Sequence, residues 1–188
     1  MDIFEYVMVM VSIIVGLALT HLLQGLVEIA QRPRPIRLWS IHLVWVAYML
    51  VLVAFWWWWQ FRLQQITWSF HHYVFVLGYA ALLYVISTLL FPKVVDPDLD
   101  LDAFFYENRG WFFGLFTLFV MVDLADTWMK GPDHFASLGF EYPIRSALFA
   151  VGFVVAMRTR NPVYHWALGL SVLFYQITYA IRQFGVVA

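Results

Sequence analysis

Seven prolines cut this chain into apolar runs, and that division constrains its fold more than any other feature. They stand at positions 33, 35, 92, 97, 132, 143 and 162. Proline removes a helix hydrogen bond and disfavours helix in the residue before it. The runs between the prolines are Ile3–Ala30, 36–59, 68–91, 110–129, 138–157 and 163–181. Most reach the roughly 20 residues that a membrane-spanning helix needs. In lipid each segment must satisfy its own backbone groups, so continuous runs of this length predict helices. A barrel would show alternating strands of about ten residues instead.

Composition agrees. Hydrophobic residues make up 63% of the 188 and charged residues 12%. A domain of this size leaves roughly 30% of its unfolded surface exposed, too much for such an apolar chain to keep in water. The expected fold is therefore an all-α integral membrane protein, a single polytopic domain of about six spans. The fifth span is the weakest. Its clean stretch covers only 144–157, behind Glu141, Pro143 and Arg145. At 1.5 Å per residue that is about 21 Å, short of roughly 30 Å of hydrocarbon. The start, Met1-Asp2-Ile3-Phe4-Glu5, lacks a basic n-region and reads as a retained helix, not a removable signal.

Basic residues near helix ends predict orientation. Arg32, Arg34, Arg37, Lys93, Arg109, Arg158 and Arg160 fall on one side, and Arg62, Lys130, Arg145 and Arg182 on the other. The richer side should face the cytoplasm, which puts both termini outside, in a membrane of the bacterial inner type. Trp39, Trp111 and Trp166 fall at the inner ends, with Trp68 and Trp128 at the outer ends. Trp56, Trp57, Trp58 and Trp59 read as an interfacial anchoring belt, although four consecutive residues cover every side of a helix. The connection from Pro92 to Asp102 carries four aspartates and no glycine, and reads as a solvated loop and not a calcium site.

Several chemistries are excluded or weakly supported. Cysteine is absent, so there is no disulfide, thiolate metal site or thiol nucleophile. A net charge of −1 offers no nucleic-acid surface. No serine sits in a Gly-x-Ser-x-Gly elbow, and no glycine-rich phosphate loop occurs. Both lysines, Lys93 and Lys130, fall at membrane edges, which excludes a retinal Schiff base.

Ionisable groups inside a membrane are candidates for function because each is costly there. At the inner end, His21, Gln24 and Glu28 share one face of the first helix, and His42 should lie at similar depth on the second. Glu107, Asn108, Arg109, Asn161 and His165 complete an expected polar network. His21 and His42 are also candidates for axial ligation of a haem or other tetrapyrrole. At the outer end are Glu5, His71, His72, Asp123, Asp126, Asp133, His134, Glu141 and Arg145. Asp123 and Asp126 share a face, so an ion pair with Arg145 is expected. Asp123 is also a candidate for a proton or cation path, and His71 and His72 for metal binding. Ser12, Gly16 and Thr20, spaced by four, predict a close helix contact or an oligomer seam. They imply a central first helix.

Three functions follow as expectations. The first is a non-catalytic structural or accessory subunit, in a homo-oligomer or with other membrane subunits in the lipid bilayer. The second is an oligomeric ion or proton channel, or a small-solute transporter, built on Asp123. The third is a haem-, pigment- or metal-binding protein.

Overall fold

A computed structural model of the chain describes residues 2–31, 41–92 and 100–184. Arg32, Arg34, Arg37, Trp39, Lys93, Asp96 and Asp98 lie outside them. The described residues form α-helices joined by turns, with no strand among them. The helices are α1 (Ile3–Ala30), α2 (Ile41–Trp59), α3 (Phe70–Thr88), α4 (Leu101–Met129), α5 (Pro132–Ser137), α6 (Glu141–Arg158) and α7 (Pro162–Phe184), with a 3-10 turn at Gln60–Gln65 after α2. Four of the helices, α1 to α4, are long and apolar enough to cross a membrane, which places the chain in one.

Side-chain caps set most starts. Asp2 and Glu5 form a reciprocal capping box on α1, and Ser69 and His72 do the same on α3. Asp100 accepts from the backbone N–H groups of Asp102 and Ala103 at 2.9 and 3.2 Å, and so opens α4. That start corrects two expectations. Helix four begins at Leu101 and not at 110, and the last aspartates of the connection cap and enter it. Asn161 accepts from Val163 N–H at 2.9 Å ahead of α7. The segment expected over 138–157 is one helix that starts three residues later, after a turn at 138–140, and a separate short helix, α5, precedes it. Gly131 and Gly139 take φ of 107° and 63°, a left-handed conformation that glycine adopts without strain, and they bracket α5. α6 then starts at Glu141, and Pro143 falls in its first turn, where no intrahelical donor is lost.

The long helices run alternately up and down. Phe4 of α1 lies against Phe61 and Trp68, and Trp59 lies against Tyr179 of α7, so α1 begins and α7 ends at the same end of the bundle. This is the terminal end of the bundle. At the opposite end Phe91 touches His21 and His42, and Phe105 touches His165. The principal pairs are α1 with α3, α2 with α7 and α4 with α6.

α1 lies at the edge of the bundle, which corrects the expectation of a central first helix. It buries one stripe, Val7, Val11, Val15, Ala18, Leu22 and Gly25, against α3 and α2. Gly16 and Thr20 are exposed and Ser12 is half-buried. A Cβ added at Gly16 would meet nothing within 4 Å, so the small residues mark no contact inside the chain.

The centre is aromatic. Trp45 of α2, fully buried, lies 5.6 and 5.0 Å from Phe112 and Phe113 of α4, both edge-to-face. Phe116 and Phe153 close around it at 6.0 and 6.3 Å. Lipid tails are as apolar as these side chains, so helix association here rests on close packing and ring geometry, not on exclusion of water.

Candidate functional site

A cavity opens at the terminal end between α2, α4, α6 and α7. It holds about 80 Å³ of space for water-sized groups, enough for roughly five to eight of them. Phe119, Phe149 and Phe153 line its depth, Trp56 and Trp59 one side, and Asp123, Arg145 and Gln176 supply polar groups.

Asp123 is the hub. Tyr79 donates to Oδ1 at 2.9 Å, Tyr142 donates to Oδ2 at 2.9 Å, and Arg145 Nη2 reaches Oδ2 at 3.3 Å. One carboxylate therefore joins α3, α4 and α6. The Arg145 guanidinium lies over Tyr142 at 4.7 Å, Tyr179 at 5.3 Å and Tyr175 at 5.8 Å. Such faces attract a cation more strongly where water is scarce. Tyr142 also exchanges a 2.7 Å hydrogen bond with Thr127.

Asp126 shares the helix face but not the site. It turns to Lys130 one turn later, at 2.5 Å, with both side chains almost wholly buried. The buried Gln60 adjoins it. Glu141 bridges α6 to α7 at the surface. It accepts from Tyr175 at 2.8 Å and from Arg182 at 2.5 and 3.2 Å.

His134 of α5 stands beside this cluster, its ring 6.0 Å from that of Trp59. Partial burial, then the charges of Arg62 and Lys130, push its imidazole down to about 4 from the ordinary 6.5. Protonation therefore costs the folded chain more than the unfolded one. Stability present above pH 6.5 is lost as pH falls towards 4. The melting temperature of detergent-solubilised protein should fall over that window, and His134→Gln should flatten the fall. An identical pH profile in the variant would refute the assignment.

The inner candidates separate. Phe91 packs edge-on between the two histidines, 5.9 Å from the His21 ring and 5.1 Å from that of His42. A tetrapyrrole held by this pair would need the space that Phe91 fills. His42 Nε2 donates to the Leu90 carbonyl. Gln24 and Glu28 are exposed. Arg109 Nε and His165 Nε2 both reach the Thr159 carbonyl at 3.1 Å, tying α4, α6 and α7 together.

The terminal-end histidines do not converge. His72 caps α3 and His71 is exposed, and no group of three potential metal ligands occurs among the described residues. The four tryptophans divide. Trp56 is buried against Tyr79 at 5.0 Å, Trp57 and Trp59 are half-buried, and Trp58 is 54% exposed. Only part of that run is available to a membrane interface.

Sequence reasoning did not single out Tyr79, Tyr142, Tyr175, Tyr179 or Gln176. With ten tyrosines in the chain, nothing in their spacing distinguishes those that meet Asp123 and Arg145. Comparison of the chain with known protein families, curated proteins and solved structures gives no match, so the site is read from its own geometry.

Proposed function

We propose that the chain is a six-span integral membrane protein with both termini outside the cytoplasm, acting as a non-catalytic accessory or structural subunit. One observation carries this reading. The acids best placed for chemistry are spent on holding helices together. Both Asp123 oxygens are occupied from three directions, and the aromatic block around Trp45 lies between the cavity and the opposite end. A conducting path would need polar groups through that block.

The six-span count draws support from α6 and α7. At 18 residues α6 extends about 27 Å, close to the hydrocarbon thickness. It exposes Ile144, Leu148 and Val151, and α7 exposes Val163, Leu170 and Phe174. Outward faces of this kind suit lipid or a neighbouring subunit.

The absence of cysteine makes the test direct. Single cysteines at Asp2 and Asp133 should react with an impermeant thiol reagent added to intact cells, and one at Arg160 should not. Extracted in native lipid discs, the protein should run well above its 22.1 kDa chain mass. A lone monomer in native lipid would overturn the subunit reading. The cavity acid favours one competing reading, conduction through Asp123. Ion or proton flux in proteoliposomes that Asp123→Asn abolishes would establish it.

A further inference from the structure

The cavity has more hydrogen-bond donors than the chain uses. Arg145 has five N–H donors but makes one hydrogen bond, to Asp123, among the described residues, and its Nε is buried without a partner. Half-buried Gln176 lines the same cavity and makes no hydrogen bond among the described residues, so its amide is available beside the buried Arg145 Nε. Buried donors without acceptors are costly, so a pocket of this kind favours a guest that brings one.

The charge balance selects the guest further. Asp123 and Arg145 already offset each other. An added anion would leave one uncompensated negative charge in a low-dielectric site, facing tyrosine rings whose π-faces are themselves negative. An added cation would lie beside Arg145. A neutral acceptor, such as a carbonyl oxygen, meets neither penalty. Much of the remaining wall, including Leu52, Phe55, Phe119, Phe149 and Phe153, is apolar and suits hydrocarbon or a flat ring, while Tyr48 and Tyr179 add hydroxyl groups. The available space is about that of one six-membered ring.

α6 and α7, two of the cavity's walls, are held less closely at the terminal end than at the other. Towards the opposite end they meet closely, with Tyr164 donating to the Gly152 carbonyl at 2.8 Å. At the terminal end they are joined through long side chains, Glu141 with Tyr175 and Arg182. We propose that the cavity binds the head of a neutral, membrane-soluble amphiphile that presents a carbonyl acceptor to Arg145 and Gln176. A quinone ring and a lipid ester both carry this chemistry.

Calorimetric titration of the detergent-purified full chain tests it with four probes: decyl-1,4-benzoquinone, methyl decanoate, decanoate anion and decylbenzene. At least one of the two carbonyl probes should bind saturably at one per chain, about tenfold more tightly than decylbenzene or decanoate. Which carbonyl probe binds more tightly identifies the source, ring or ester. Gln176→Leu should weaken the carbonyl probes by about tenfold and leave decylbenzene unchanged. Gln176 lies outside the ion pair, so this variant keeps the bundle's main polar clamp. Glu28→Gln, on the exposed face of α1, should change nothing. Equal binding of decylbenzene, tighter binding of decanoate, or no saturable binding by either carbonyl probe would each overturn the proposal.

Discussion

Replacing Asp123 with leucine should destabilise the bundle by about 1–3 kcal/mol, the cost of leaving hydrogen-bond donors of a part-buried pair, 14% and 24% exposed, without their acceptor. Two donors, Tyr79 and Arg145, lose their acceptor at once, while Tyr142 keeps the backbone carbonyl of residue 123 at 2.9 Å and Thr127 at 2.7 Å. Tyr79 is 1% exposed and does not line the cavity, so its hydroxyl has no water to turn to. Arg145 is left with aromatic faces but no anion. Asp123→Asn keeps an oxygen for one tyrosine and should cost less. The double variant Asp123→Leu/Arg145→Leu removes the orphaned charge and should recover part of the loss, so the two changes should be clearly non-additive. Unfolding in mixed micelles, followed by helicity, compares the parent chain with Asp123→Leu, Asp123→Asn, Arg145→Leu and the double variant. A cost below about 1 kcal/mol for Asp123→Leu would equal that of an exposed ion pair, and the carboxylate would then not be a hub.

The second large effect is steric. A Cβ at Gly25 would lie 2.5 Å from three ring atoms of Phe91. Gly25→Val adds two further methyl groups at that point. Overpacking of this kind should cost about 1–3 kcal/mol. Phe91→Ala opens the space and should reverse the sign, so that valine at 25 stabilises the alanine variant. The same unfolding measurement applies. If Gly25→Val is harmful to the same degree in both backgrounds, the close approach of α1 to Phe91 is wrong. The pair also bears on the histidines, because the ring seated over Gly25 is the one between His21 and His42.

Helices were legible from local signals. Apolar runs, prolines and capping residues act within a few positions of themselves, so α1, α2, α3 and the body of α4 follow from the sequence alone. The start of α4 was missed because Glu107, Asn108 and Arg109 look like loop residues. Arg109 is accommodated in the helix by bonding to the Tyr106 and Thr159 carbonyls, the second of them fifty residues away. The small-residue stripe on α1 suggested a central helix for a similar reason. Spacing shows that close contact is possible, and only the neighbours show whether one is made.

At the site, Asp123 and Arg145 stood out because charge within an apolar run is rare, and the fold brings them to 3.3 Å. Asp126 looked equivalent on the same face, yet a rotation of about 60° between i and i+3 is enough to aim it at Lys130 instead. The tyrosines were invisible, since their amphipathic rings suit membrane interfaces and bundle interiors alike, whereas Gln176, a lone amide within the last apolar run, carried a signal that a search for charges passes over. By itself the sequence determined a membrane-embedded helical chain and the identity of its few deep charges, because lipid penalises each charge wherever it stands. Which partners those charges meet, that α1 lies at the edge, and that a donor-rich cavity forms among α2, α4, α6 and α7 were decided by the tertiary structure. Those outcomes depend on which helix faces pack together, and in an almost uniformly apolar chain hydrophobic periodicity carries little information about that.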